Sequence, residues 1–511
     1  MQSKASKSLL ARREAGVLLH ISSLPSPEGI GTFGEEAFKT ADWIAKAGFS
    51  LWQILPTGPT GFGNSPYAPH SSFAGNELFI DLADLCQKGY LEHSDCDKYT
   101  PKASEKVNFS QVKADKILLL KKAANSFIQK AGLTEAGYQE FVAQEGHWLD
   151  SYALFRVLSE RFGDNRWYSH WPKEYANRDK DALSAFIDSH QTEIERWKVL
   201  QYFFALQWQE FRSYVNKLGI KLIGDVPIFV AGDSADTWAN PHLFKRNTQG
   251  QFDPVSGVPP DLFSSTGQLW GNPVYDWDEL ERTHYHWWVL RLQRLFALTD
   301  LLRIDHFRGL IATWEIPASD STAEFGSWID AGGKELFEEL SQHFDMGCLI
   351  AEDLGLMDDE VIELRDTYTL PGMKIFQFGF TFDEDGNADY THEFLPPNWS
   401  ENFVVYTGTH DNDTTAGWFE SLNKSEREVV LNYLDCSEEE VTKAMIRMML
   451  FSVARMAIIP VQDLLNKDTK ARFNYPSSCN EENWSWRVQA RELTNELAKR
   501  MKDLLTISAR L

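Results

Sequence analysis

Gly16-Val-Leu-Leu-His-Ile-Ser-Ser-Leu-Pro25 is an apolar run that closes in polar and turn-forming residues, and Leu51-Trp-Gln-Ile-Leu-Pro56 is a second. Between them, beyond a Gly29–Gly34 loop, Ala37, Phe38, Ala41, Ile44 and Ala45 recur at helical spacing from Glu35 until Gly48. Strand, helix and strand in so short a span form a βαβ unit, whose crossover makes the two strands parallel. Comparable apolar runs follow at Lys221–Val230, Leu301–Leu310, Cys348–Gly355, Lys374–Phe380, Phe403–Gly408 and Ala457–Leu464. Eight strands, centred on Val17, Trp52, Ile223, Leu302, Leu349, Ile375, Val404 and Ile459, alternate mostly with helices. That pattern predicts an α/β fold, a closed (β/α)8 TIM barrel with helical and loop-rich insertions after strands 2 and 3.

We read residues 1–511 as one catalytic barrel. Helical periodicity dominates the chain between strands 2 and 3, in Val112–Ala124, Tyr152–Phe162 and the aromatic-rich Ile194–Leu218, and predicts a mainly helical insertion over 57–220. A second insertion, 231–299, lies between strands 3 and 4 and is expected to cover the cleft. Its first part, Asp233–Asn272, is turn-rich and reads as a long loop without secondary structure; Tyr285–Leu298 reads as a helix. Lys334–Phe344 and Asp358–Arg365 read as helices too.

Composition narrows the function classes. The net charge of −24, from 74 acidic against 50 basic side chains, argues against a nucleic-acid or anionic-membrane partner, each of which needs a basic footprint. Five cysteines (Cys86, Cys96, Cys348, Cys436, Cys479) show no Cys-x-x-Cys spacing, so neither a disulfide framework nor a zinc site is expected, and a reducing, cytoplasmic setting is. The start of the sequence has no long apolar core before Arg12 and Arg13, and no segment is long enough to span a membrane. Tryptophan is abundant, at 18 residues, and several stand beside Gly, Asn, Pro and Asp. Flat apolar faces next to hydrogen-bonding groups suit sugar rings.

The chemistry concentrates where strands end. In Leu301-Leu-Arg-Ile-Asp-His-Phe-Arg-Gly-Leu310 a buried strand carries Arg303, Asp305, His306 and Arg308, with Gly309 expected to make the turn. Buried charges need partners or a task. Strands 4, 5 and 7 all pass from an apolar run into acids, delivering Asp305, Glu352 and Asp411 to the carboxyl-end mouth, where barrel enzymes keep their catalytic groups. Paired carboxylates in a cleft break glycosidic bonds: one attacks the anomeric carbon, the other exchanges a proton with the leaving and entering oxygens. A metal site is the competing reading, ranked second because no dense ligand spacing such as Asp-x-Asp-x-Asp-Gly is present.

Arg303-Ile-Asp305-His306-Phe-Arg308-Gly, Ala351-Glu352-Asp353-Leu-Gly355 and Gly408-Thr-His410-Asp411-Asn412-Asp413 closely resemble the amylomaltase, or disproportionating-enzyme, family of 4-α-glucanotransferases. Gly61-Phe-Gly63-Asn64-Ser65-Pro66-Tyr67, Gly224-Asp225-Val-Pro227-Ile and Leu269-Trp270-Gly271-Asn272-Pro273 resemble that family's substrate loops. The matches run in order from about Gly16 to Arg487. The resemblance implies a retaining double displacement that moves α-1,4-glucan segments from maltooligosaccharide, amylose, starch or glycogen-derived donors to an acceptor glucan or glucose, without a cofactor or metal. It assigns Asp305 as nucleophile, Glu352 as general acid/base and Asp411 as the group holding sugar hydroxyls. Tyr67, Asp225, Arg303, His306 and His410 would bind donor sugar, with Ser65 and Asn474 beside them, and Trp270 and Gln268 would lie on the loop over the cleft. Arg303 should keep Asp305 ionised, and Glu352 should sit in a less solvated setting with a raised pKa. A cytoplasm or a plastid stroma would suit such an enzyme. An α-glucan hydrolase of the same fold and a non-catalytic glucan-binding protein are the alternatives. The resemblance departs at Phe62, where relatives often carry a tyrosine, at Pro397, where they carry a histidine, and in Asn474-Tyr-Pro476-Ser477 and Glu482-Asn483-Trp484, which drift from the family's usual glycines; the three acids themselves are unchanged.

Overall fold

The structure, a computed structural model, describes residues 12–99, 104–130, 132–260, 264–355, 357–383 and 386–511. The first eleven residues and Asp261 therefore lie outside the described residues. Eight strands form one parallel sheet: β1 (Glu14–Leu18), β2 (Leu51–Gln53), β3 (Lys221–Val226), β4 (Leu301–Ile304), β5 (Leu349–Ala351), β6 (Gly372–Ile375), β7 (Phe403–Tyr406) and β8 (Met456–Pro460). Seven of the eight neighbouring pairs round the sheet are in strand register, β8 with β1 among them at Val17↔Ile459. The remaining seam, between β5 and β6, is held by one backbone bond, Ala351 N–H to Pro371 O at 2.9 Å, and by Asp353, whose carboxylate accepts the Met373 N–H at 2.7 Å. The sheet is thus a barrel. Its strands are buried almost throughout, as helices on the outside and side chains within require, which is why they read as continuous apolar runs.

The strands are shorter than their apolar runs. The run after β8 turns into the helix Val461–Leu464, and those after β1 and β6 into 3₁₀ turns at Ile21–Ser23 and Phe376–Gly379. Apolarity marks burial, and a buried turn is as apolar as the strand before it. Between β2 and β3 run the long helices Phe109–Gln129, Ala136–Phe162 and Gln191–Lys217, the last packing Trp197, Phe204, Trp208 and Phe211 into the core.

Three expectations are corrected. Asp233–Asn272 is not without secondary structure: Val255–Val258 and Gln268–Pro273 pair antiparallel with each other, and Val255–Val258 pairs with Ala312–Ile316, which pairs with Ser327–Asp330. These short strands lack period-2 alternation, and two of the four come from beyond β4, so the sheet exists only through non-local pairing. Gly257 is required there, since a Cβ would lie 2.4 Å from the Gln268 carbonyl oxygen. Second, the turn after β4 is made by His306, in the left-handed region at φ 48°, and not by Gly309. Third, Cys86 and Cys96 are joined by a disulfide, their two short helices being folded back on each other at Gly89, while Cys348, Cys436 and Cys479 are free. Among the described residues no helix is long and apolar enough to cross a membrane.

Candidate active site

The barrel register builds the site. Ile304 of β4 pairs with Ala351 of β5, so the residues one step beyond, Asp305 and Glu352, emerge side by side on adjacent strands, whose backbones run about 4.8 Å apart. Backbone bonds knit the two strand ends together: Glu352 N–H donates to Ile304 O at 3.1 Å, and Phe307 N–H to Glu352 O at 3.1 Å. The left-handed His306 is what turns its own N–H back to Glu352 Oε2 at 2.6 Å. A non-glycine residue held in that conformation beside a carboxylate is local strain placed where chemistry occurs.

Arg303 is the electrostatic hub. It lies in cross-strand register with Asp225 of β3 and is almost wholly buried. Its Nη1 donates to both Asp225 oxygens, at 2.8 and 2.9 Å, and to Asp305 Oδ1 at 2.9 Å; its Nε approaches Met373 Sδ at 3.4 Å. Asp225 receives a further bond from the Tyr67 hydroxyl at 2.8 Å. Burial pushes the Asp225 carboxyl up, to about 7, against the pull of Arg303. Its side chain has no exposed surface and its oxygens are taken by Arg303 and Tyr67. Asp225 thus ties together Arg303 and Tyr67.

Asp305 and Glu352 stand in different surroundings. Asp305 is ion-paired to Arg303 and keeps 28% of its side-chain surface open. Burial holds the Glu352 carboxyl well above the ordinary carboxylate range, opposed by Arg303 and reinforced by the charge of Asp305. The second acid after β5 does other work: Asp353 is buried and spent on Met373 and on Arg365 Nη1 at 2.6 Å.

The third acid sits across the mouth. Asp411, after β7, is 47% exposed, accepts from Asn474 Nδ2 at 2.6 Å and has His410 Nε2 at 3.4 Å. His410 is kept uncharged chiefly by burial. Its ring stacks on Tyr67 with centroids 5.0 Å apart, and Trp484 leans on both rings at 5.8 and 5.9 Å. Trp484, in a stretch that stands out in the sequence only as a departure from the family pattern, joins the site because the chain folds back to β7. On the opposite side Trp270 meets His306 edge-on at 4.8 Å, with Gln268 Oε1 3.4 Å from the Trp270 indole nitrogen. Burial lowers the His306 pKa to about 4, so it too is neutral near pH 7. Ser65 stands apart: its hydroxyl oxygen accepts the Tyr67 N–H at 3.1 Å and shapes the turn that presents that tyrosine. Among the described residues no three His, Cys, Asp or Glu side chains are grouped to hold a metal ion.

His20, beyond β1, supports this cluster from below. Its Nδ1 accepts the Leu55 N–H at 3.2 Å, and burial with nearby His410 lowers its pKa from 6.5 to about 3. Between those values the folded protein lacks a proton that the unfolded chain holds. Its contribution to stability is therefore complete above about pH 6.5 and is lost, at roughly 1.4 kcal/mol per pH unit, as the pH falls toward 3. His20→Asn keeps an acceptor for Leu55 and is expected to flatten the acid side of the stability curve by about one proton, measured by urea unfolding between pH 7 and 4.

Comparison with known proteins meets the same residues. A family profile described as 4-alpha-glucanotransferase matches residues 19–494. A 4-alpha-glucanotransferase of Streptococcus pneumoniae is 42% identical over 507 residues, covering 98% of each chain. A chloroplastic/amyloplastic 4-alpha-glucanotransferase of Solanum tuberosum is 40% identical over 510 residues, covering 98% of this chain and 87% of that one. Among solved structures, an amylomaltase from Streptococcus agalactiae in complex with acarbose superposes with a TM-score of 0.92 at 36% identity, covering 98% of this chain and all of the other. A barrel mouth lined by these acids and a profile match over nearly its whole length lead to one statement: the chain belongs to the 4-alpha-glucanotransferase family.

Proposed function

We propose that this enzyme transfers α-1,4-glucan segments by a double displacement in which Asp305 is the nucleophile and Glu352 the general acid/base. The observation that carries the reading is the contrast between two neighbouring half-buried carboxylates: one ion-paired to Arg303, the other bonded to the His306 N–H and favoured in its protonated form by desolvation. Pairs whose environments drive them apart in this way divide into base or nucleophile and acid.

In the first step an Asp305 oxygen attacks the anomeric carbon, the bond from that carbon to the leaving O4 breaks, and Glu352 gives its proton to the departing oxygen. In the second, an acceptor O4–H yields its proton to Glu352 while its oxygen attacks the same carbon and releases Asp305. Two inversions leave the α configuration intact. Asp411, anchored by Asn474, takes the role of holding sugar hydroxyls as the ring distorts. Tyr67 with His410 and Trp484 forms an aromatic wall for the donor sugar, and Trp270 with Gln268 extends over the opposite side. Arg303 serves the nucleophile, and Asp225 holds Arg303.

We further propose that 1–511 works as a single catalytic unit, with 57–220 bracing the Tyr67 loop and 231–299 reaching over the cleft. Shielding of this kind favours transfer over hydrolysis, because a positioned sugar hydroxyl reaches an effective molarity of about 10⁵ M or more and outruns water. Glucose and maltooligosaccharides are the small partners expected, and a cytoplasm or plastid stroma the compartment. With maltotriose as the only sugar, total reducing ends should stay constant while glucose and longer chains appear. Steady growth of reducing ends would instead identify a hydrolase.

A further inference from the structure

A second cavity, of about 290 Å³, lies away from the acid cluster, between the helices Ala136–Phe162, Ala235–Ala239 and His286–Leu298. None of the three acids lines it. Its floor is aromatic: Phe73 stacks on Trp148 with ring centroids 6.3 Å apart and stands edge-on to Trp287 at 5.9 Å. Its walls carry Asp236, Asn240 and Ser151 together with three histidines, His147, His242 and His286, and no lysine or arginine lines it. The indole N–H of Trp287, a lining residue, is buried without a hydrogen-bond partner. Asp236 is buried, and one of its oxygens accepts the Ser72 N–H at 2.7 Å.

We propose that this cavity is a second, non-catalytic binding site for one neutral pyranose, and that its occupant is glucose. Aromatic faces beside a carboxylate and an open indole donor are complementary to a ring with apolar C–H faces and equatorial hydroxyls. The volume stands at the lower edge of ligand pockets, roughly 300–1,000 Å³, which admits a single ring and excludes a glucan chain. The buried Asp236 carboxylate, with no lysine or arginine in the lining to offset it, favours a neutral sugar over a sugar phosphate. The choice of glucose among neutral pyranoses rests on the transfer reaction, which makes and consumes it. The site is tied to the catalytic side of the molecule, because Asp236 and the Ala235 N–H (to His70 O at 2.8 Å) grip the segment that carries Tyr67.

The test uses the full chain carrying Asp305→Asn, with its cleft saturated by acarbose, so that neither turnover nor glucose in the cleft contributes. Titration with glucose, followed by calorimetry and tryptophan fluorescence, should then show one saturable equivalent with a millimolar dissociation constant. Adding Trp287→Phe, which removes the unpartnered N–H together with part of the aromatic face, should weaken it about 5- to 10-fold. Adding Ser151→Trp, which fills the cavity from its edge, should abolish it, and this variant decides the matter if Trp287→Phe does not fold. No saturable uptake, uptake indifferent to both substitutions, or tighter binding of glucose 6-phosphate than of glucose would each overturn the proposal. Because binding is read without turnover, its failure leaves the roles of Asp305 and Glu352 untouched, whereas failure of the transfer reading would remove only the choice of glucose among neutral pyranoses.

Discussion

Asp305→Asn is expected to reduce kcat on maltotriose by about four to six orders of magnitude, the range seen when a covalent nucleophile is removed from an otherwise intact site. The substitution is conservative in shape. Asn can still accept the Arg303 Nη1–H that Asp305 Oδ1 accepts at 2.9 Å, so the residue should keep its place while losing the charge that attacks carbon. Acarbose affinity should therefore change only a few-fold and the melting temperature little. The complementary experiment looks for the ester itself. Glucosyl fluoride, whose leaving group needs no proton, given to Glu352→Gln should load the protein with one glucosyl unit, and peptide mapping should find it on Asp305. Label on any other residue, or an Asp305→Asn enzyme within about tenfold of wild-type turnover, would contradict the assignment.

All eight barrel strands were legible because parallel strands buried on both faces must be apolar throughout, and a run such as Leu349-Ile-Ala351 has few other uses. The acids were legible for the converse reason: a charge that interrupts or ends such a run has to be explained. What sequence could not show is partnership at long range. The antiparallel sheet of Val255–Val258, Gln268–Pro273, Ala312–Ile316 and Ser327–Asp330 is fixed by pairing across β4, and no local periodicity announces it. The placement of Asp225 was half legible. Its burial was foreseeable from Ile223 and Val226 around it, but that Arg303 would lie in register with it, and so form its ion pair, depends on the β3–β4 pairing. The turn at His306 was misplaced onto Gly309 because glycine is the usual carrier of positive φ. Here the strained residue is the one whose N–H reaches Glu352, and the strain has a use.

That same N–H frames the second large effect. Glu352→Gln preserves an acceptor for the His306 N–H, bonded at 2.6 Å, but cannot give up or recover a proton. The expected loss in kcat on maltotriose is about 10²–10⁴-fold, the usual worth of general acid/base catalysis. The sign of the pH dependence follows from the environment. Only protonated Glu352 can serve the leaving oxygen, so activity should fall as the pH rises through its pKa, and burial places that alkaline limb well above the ordinary carboxylate range. In Glu352→Gln the limb should vanish, since the group that titrates is gone. A donor that needs no acid catalysis separates this role from a structural one. Glucosyl fluoride should be cleaved nearly normally in the first step by Glu352→Ala, and azide, an acceptor with no proton to remove, should restore release of the glycosyl group as the α-azide. An alkaline limb that survives the substitution, or a fluoride donor impaired as severely as maltotriose, would move the acid/base role to another residue.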